Sequence, residues 1–206
     1  MALHVVDHPI AHDLLLSLRD KATPSDTFRQ LARRLSLVLA LEATRDLETR
    51  RATVDTPLGP AAGTRVATEV VVVPVLRAGL GMLDAVLELI PRARVGHIGL
   101  QRDEETAVAS KYYSKFPVGL ADARVLMIDP MLATGGSAVF ALDLLRDAGA
   151  RDIRLLCIVA APEGIKTVEA AYPNVHIYTP VVDDRLDAKR FIVPGLGDFG
   201  DRLYGT

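Results

Sequence analysis

The spacing of hydrophobic and polar positions changes character twice along the chain. Residues 10–47 carry apolar side chains three and four apart, through Phe28, Leu31, Leu35, Val38 and Leu39, the repeat of an amphipathic helical region. Ser25 or Thr27 is placed to cap a helix there. Residues 48–66 lose that period. Thr49, Arg50, Arg51, Thr53, Val54 and Asp55 precede Pro57, Gly59, Pro60 and Gly63, which predicts a hairpin arm or an extended loop. From residue 69 onward, strand, turn and helix alternate. Residues 70–76, 94–100, 124–128, 155–160 and 175–182 read as strands. Residues 80–90, 137–148 and 165–171 read as helices, with Gly149 as the stop of the second. Such alternation predicts an α/β fold, a parallel sheet flanked by helices. Ligands of these sheets sit beyond the carboxyl ends of the strands, so chemistry is expected in the loops after residues 76, 100 and 128.

Two segments stand outside the alternation. Residues 101–119 form a long polar insertion, the length of a lid loop. Residues 192–206 hold Gly195, Gly197, Gly200 and Gly205, which argues against a regular element. Ile192, Val193, Leu196, Phe199 and Leu203 are nevertheless apolar enough to pack, so an irregular backbone closing over something is expected.

Composition narrows the class. A chain of 206 residues fits one domain spanning 1–206, and 50% hydrophobic residues exclude disorder as its main state. A net charge of −2 argues against a nucleic-acid partner, which selects a basic face. Cys157 is the single cysteine, so no internal disulfide forms and a reducing, cytoplasmic setting fits. The mean hydropathy of +0.23 is attributed to strands buried on both faces. The run 70–76 is far short of the ~20 apolar residues of a membrane span and contains Pro74. His4, Asp7, His8, His12 and Asp13 do not make the basic-then-apolar layout of a signal peptide.

The loop after residue 128 carries the strongest chemical signal. It reads Asp129, Pro130, Met131, Leu132, Ala133, Thr134, Gly135, Gly136, Ser137. Two glycines let backbone N–H groups converge at a helix N-terminus, and Thr134 and Ser137 add hydroxyl donors, a site suited to a phosphate. Asp129 then needs another task, such as ribose hydroxyls or a Mg²⁺-linked sugar. The plain alternative is a glycine-rich turn before a helix, and without a following lysine it is no P-loop. Arg77, between a strand end and Ala78-Gly79-Leu80-Gly81, presents a fork of donors for a second anion or is a surface arginine at a turn. Arg102, Asp103, Glu104, Glu105 and Thr106 read alone as a solvated charged loop. Asp198 and Asp201 lie among tail glycines, as ligand-binding acids or surface acids. His4, His8 and His12 have a helical ligand spacing, but Pro9 interrupts it and nothing completes a zinc site. His97, His176 and Cys157 fall in expected strands and read as packing residues.

Together these blocks resemble the uracil phosphoribosyltransferase family over essentially the whole chain. The resemblance is carried by 75–82, 102–106, Asp129 through Ser137, Ala160-Ala161-Pro162-Glu163-Gly164 and 194–205, with His8-Pro9, His12 and Glu42-Ala43 also fitting. Ribose-phosphate transferases generally have two adjacent acids in this loop; Pro130 in the second place marks the uracil branch. The resemblance implies a type I phosphoribosyltransferase-like core with a β-arm at about 48–66, a lid at about 101–119 and a uracil-binding segment at about 183–206, the chain termini forming a small hood. It implies conversion of uracil and 5-phosphoribosyl 1-diphosphate (PRPP) to UMP and diphosphate, a pyrimidine salvage step.

By the same resemblance, Asp129 through Ser137 hold the ribose 5-phosphate and hydroxyls. Arg77 and Arg102 hold the diphosphate, and Asp198 also serves PRPP, which makes these three the catalytic candidates. Ile192, Gly197, Asp198 and Phe199 surround uracil. Mg²⁺ is expected to arrive with PRPP, and no protein metal site is expected. Family members form dimers or larger assemblies, and some respond to GTP, although no separate nucleotide motif is visible here. Some members have Ala where this chain has Phe199; recognition through backbone atoms would leave specificity unchanged. An RNA-binding regulator of pyrimidine genes on the same fold is the competing function, and it needs a basic face that Arg33-Arg34 and Arg50-Arg51 do not supply. Transfer to orotate would want a cation near the base, where the tail offers Asp198 and Asp201.

Overall fold

The structure, a computed structural model, describes residues 2–102 and 109–206. β1 (Ala2–Val5) leads into α1 (Pro9–Arg19) and α2 (Ser25–Ala43). A hairpin of β2 (Thr49–Thr56) and β3 (Gly59–Val66) follows. The next elements are β4 (Glu69–Leu76), α3 (Leu80–Leu89), β5 (Arg94–Val95), β6 (His97–Arg102) and β7 (Ala109–Lys115). Then come β8 (Ala123–Ile128), β9 (Met131–Leu132), α4 (Gly136–Asp147), β10 (Asp152–Leu156), β11 (Val159–Ala160), α5 (Pro162–Ala171) and β12 (His176–Thr179). β13 (Arg185–Leu186), β14 (Ile192–Val193) and α6 (Phe199–Tyr204) complete the chain.

The main sheet runs β1-β12-β10-β8-β4-β6-β7, with β5 also paired to β4. Its pairings are parallel except β6 with β7. Val70 and Val72 of β4 pack with Phe28, Leu35, Met82 and Phe199 on one face. Val71, Val73 and Val75 pack with Ala141, Leu142 and Val168 on the other. Burial on both faces explains the unbroken valine run. From β4 the chain passes through α3 to β6 on one side; from β8 it passes through α4 to β10 on the other. The connections reverse between β4 and β8, the place where a sheet of this type opens a crevice for ligands.

Several expectations are corrected. The region 10–47 is two helices, separated around Pro24, which is itself the residue preceding α2 with φ −71° and no side-chain cap bond. Neither Ser25 nor Thr27 caps α2. β1 is an element that the apolar spacing does not predict; it places His4 on a strand, so His4, His8 and His12 share no helix face. His8 instead caps α1, its Nδ1 accepting from Ile10 N–H at 3.1 Å. The insertion 101–119 is in good part regular, because Ala109–Lys115 pairs antiparallel with β6. A polar edge strand reads like a loop, since its exposed positions need no apolar side chains. The expected strand 155–160 is divided between β10 and β11, with buried Cys157 between them. The tail is less irregular than its glycines suggest: Asp198 caps α6, which ends at Gly205. The arm at 48–66 is present as the β2–β3 hairpin, paired from Thr49↔Val66 to Thr56↔Gly59 and exposed along nearly its whole length. Among the described residues, no helix is long and apolar enough to cross a membrane.

Candidate active site

The loop after β8 is held from behind by backbone bonds. Asp129 N–H donates to Leu156 O at 3.1 Å. Pro130 O accepts from Ile158 and Val159 N–H at 2.9 and 3.0 Å, and Leu132 O accepts from Ala161 N–H at 2.8 Å. Pro130 and Leu132 are buried, so these two residues serve the loop through their carbonyls. Gly135, φ +85°, turns the chain into α4. Gly164, near the start of α5, lies against the same loop: a Cβ on it would meet Ala133 O at 2.4 Å, and one on Gly135 would meet Gly164 O at 2.8 Å. The 12-residue α4 therefore starts from a fixed base, with Gly136 N–H donating to Thr134 Oγ1 at 3.5 Å. Gly136 is exposed there, with Thr134 and Ser137 half-buried beside it.

The loop after β4 sits alongside. The Leu76–Arg77 peptide is cis, and Gly79 N–H donates to Val75 O at 2.8 Å. Arg77 is exposed, and among the described residues no ion pair or hydrogen bond engages its guanidinium. Its carbonyl accepts from Tyr204 Oη of α6 at 3.2 Å. Arg102 ends β6; its side chain and Asp103, Glu104, Glu105 and Thr106 lie outside the described residues.

The tail folds over from the opposite side. Asp187 Oδ1 accepts from Lys189 and Phe191 N–H at 2.9 and 2.8 Å, and Arg190 between them has φ 67°. Gly195 has φ +57°, and a Cβ there would lie 2.1 Å from Ile192 O, so the turn requires glycine. Asp198 Oδ1 accepts from Asp201 N–H at 2.9 Å. Phe199 is 1% exposed, its ring edge-on to Phe28 at 5.1 Å between centroids. The hood is fastened to the N-terminal helices by arginines. Arg29 donates to Leu203 O at 2.8 Å. Arg202 stands over the Phe28 ring at 4.5 Å and donates to Leu196 O at 2.9 Å and Asp20 O at 2.6 Å. Arg19 pairs with Asp183 through both carboxylate oxygens.

Between loop and hood lies a cleft of about 420 Å³. Asp129, Met131 and Ala133 line it from the loop; Ile192, Gly197, Asp198 and Phe199 line it from the hood. A larger cavity of about 790 Å³ lies around His4, Asp46, Arg154, His176 and Tyr178, and it contains no residue expected at the site.

The family model for uracil phosphoribosyltransferase matches residues 5–206. The chain belongs to the uracil phosphoribosyltransferase family. The uracil phosphoribosyltransferase of Halalkalibacterium halodurans is 48% identical over 205 residues, 99% of this chain and 98% of that one. The solved AQ2163 protein from Aquifex aeolicus is 36% identical with a TM-score of 0.94, over 99% of this chain and 98% of that one. An adenine phosphoribosyl transferase from Trypanosoma brucei, solved with AMP, pyrophosphate and ribose-5-phosphate, has a TM-score of 0.59 at 14% identity over 94% of this chain and 85% of that one, a likeness of fold.

For a family member, the cleft gathers some expected site residues and leaves others off its walls. Asp129, Met131, Ala133, Ile192, Gly197, Asp198 and Phe199 meet in it. Arg77, in the loop after β4, and Pro130, Leu132, Thr134, Gly135, Gly136 and Ser137, in the Asp129 loop and the start of α4, are not among its lining residues. Sequence reasoning missed Lys189 and Arg190, which line the cleft beside Ile192, so the tail brings cations as well as acids to it. It also gave 160–164 no task, although those residues brace the loop. Glu163 adds a tie to the hood by accepting from Leu186 N–H at 3.1 Å. The N–H groups of Glu163 itself and of Leu186 hold its carboxyl below the ordinary value. Cys157 is fully buried, and burial pushes its thiol up to about 12, which removes it from nucleophilic chemistry.

Proposed function

We propose that this chain transfers the 5-phosphoribosyl group of PRPP to uracil, releasing diphosphate and UMP. The observation that carries the reading is the single cleft shared by the Asp129 loop and the Ile192–Asp198 turn. An anion site and a base site on facing walls are what a reaction between a sugar phosphate and a nucleobase requires.

Each group has a task that follows from charge. The N-terminus of α4, with Thr134 and Ser137, holds the 5-phosphate in ground and transition states alike. Asp129 holds the ribose hydroxyls. Backbone groups of Ile192, Gly197 and Phe199 recognise uracil, which leaves the Phe199 ring free to serve the core. As the bond from C1 to diphosphate stretches, positive charge grows on the ribose and negative charge on the leaving group. Arg77 and Arg102 stabilise the leaving diphosphate, where donors fixed in advance act most strongly.

Among the described residues no three metal-ligating side chains cluster. The cleft does offer single hard carboxylates, Asp129 and Asp198, one on each wall, a donor set compatible with Mg²⁺ bound mainly by its substrate. When bound, Mg²⁺ supplies neutralising charge to the diphosphate. The exposed β2–β3 arm pairs subunits into a dimer or a larger assembly. The setting is cytoplasmic, a reading that fits a chain whose single cysteine, Cys157, is buried.

The test is incubation with PRPP, Mg²⁺ and one nucleobase at a time, with and without GTP as the activator expected from the family. UMP from uracil, without nucleotide formation from orotate or hypoxanthine, is expected. Orotidylate or a purine nucleotide as the main product would overturn the assignment.

A further inference from the structure

Asp183 connects the two walls of the cleft without lining it. Its N–H donates to Ala160 O at 2.8 Å, and the preceding Val182 bridges to Ala160. Ala160 is paired with Leu132 of the phosphate-side loop. The backbone of Asp183 is thereby registered to the loop that carries Asp129 and Thr134.

Its side chain is registered to the hood. Asp183 Oδ2 accepts from Gly195 N–H at 2.8 Å and from Arg19 Nη1 at 2.9 Å, and Oδ1 accepts from Arg19 Nη2 at 2.5 Å. Arg19 Nη1 also donates to Gly195 O at 2.7 Å. Gly195 is thus held at both its N–H and its carbonyl, two residues before Gly197. The pair is largely removed from water, with the Asp183 side chain 3% exposed and that of Arg19 19% exposed. Burying two charges gives little net stability, because desolvation offsets their attraction. The planar fork on a planar carboxylate fixes geometry instead.

We propose that Asp183 and Arg19 are positioning residues that hold the base-binding turn at a set distance from the phosphoribosyl-binding loop. This rests on the reading of the cleft given above. Loosening Gly195 moves the uracil-binding backbone relative to the ribose C1 and leaves the phosphate-side loop, braced by Ala161 and Gly164, in place.

The experiment measures three quantities for Asp183→Asn, Arg19→Ala and Arg19→Lys in the full chain. These are kcat/KM for uracil at saturating PRPP, the PRPP dissociation constant without uracil, and the melting temperature. Asp183→Asn and Arg19→Ala should lower kcat/KM for uracil by roughly 10- to 100-fold, the scale of a misplacement near 1 Å, with PRPP affinity held within about twofold. Arg19→Lys should restore part of the loss, because the ammonium keeps the charge without the fork. Folded variants that keep wild-type kcat/KM for uracil, or that lose PRPP affinity in parallel, overturn the proposal. Should Asp183→Asn fail to fold, Arg19→Lys carries the test with the same readouts, since the Asp183–Gly195 bond remains. A wild-type chain that makes no UMP overturns the reading of the cleft and this proposal with it; unchanged variants in an active background overturn this proposal alone.

Discussion

Gly164 lies so close to Ala133 that a methyl group on it would stand 2.4 Å from the Ala133 carbonyl oxygen. The start of α5 is the surface on which the Asp129–Ser137 loop is shaped. Gly164→Ala must push one of the two backbones away. The substitution should destabilise the fold by about 1–3 kcal/mol, the usual cost of overpacking, and raise the apparent KM for PRPP. Denaturant unfolding and PRPP titrations check it, and a variant of wild-type stability and KM would show that the loop yields freely.

Thr134 and Ser137 flank the N-terminus of α4 and are assigned to the 5-phosphate, a group whose charge does not change during the reaction. Their joint replacement by Ala should raise the apparent KM for PRPP with a smaller effect on turnover, since uniform binding sets that constant. A loss confined to turnover contradicts the assigned role.

Arg102 is assigned to the leaving diphosphate, where negative charge accumulates. Arg102→Ala should reduce turnover by roughly one to three orders of magnitude, the range for removing one donor to a developing anion. Arg102→Lys should recover part of that, keeping charge and losing the planar fork. Wild-type turnover in Arg102→Ala at saturating substrates would make it an ordinary surface charge.

The Asp46 carboxylate is 3.0 Å from Arg124 and 2.7 Å from Arg154. Burial works against its ionisation, but hydrogen bonds from both guanidiniums outweigh that and bring it from 3.8 to about 2. A carboxyl lowered by folding stabilises the native state above its ordinary value. That stabilisation fades as pH falls from 3.8 to about 2. With 59% of the side chain exposed, solvent screening keeps the effect modest. Asp46→Asn should flatten the stability curve across that window, as read by urea unfolding at several pH values; an identical slope in both proteins would remove Asp46 from acid sensitivity.

The β2–β3 arm exposes Val54, Leu58 and Val66 to solvent in the single chain. Removing residues 50–62 should convert a dimer or larger assembly to a monomer. Light scattering that returns the wild-type mass after the deletion refutes the pairing role.

Much of this was legible in the sequence because local pattern and long-range packing agree. The valines of β4 and the Asp129–Ser137 block read as strand end and helix start without tertiary information. The hood did not, because its order comes from distant partners. Arg19 and Asp183 are 164 residues apart, and α6 forms from a glycine-rich segment because Arg29, Arg202 and Phe28 hold it. Lys189 and Arg190 look like surface cations until Asp187 folds their loop over the cleft. β7 hides in a polar run because, among the described residues, it is an edge strand with a strand neighbour on one side.

The central claim is transfer between the two walls of one cleft. Its most direct test is diphosphate release from PRPP, measured with and without uracil in the same preparation while UMP is counted. Release should depend on uracil and match UMP one for one. Release at the same rate without uracil, or UMP that does not match diphosphate, would contradict it.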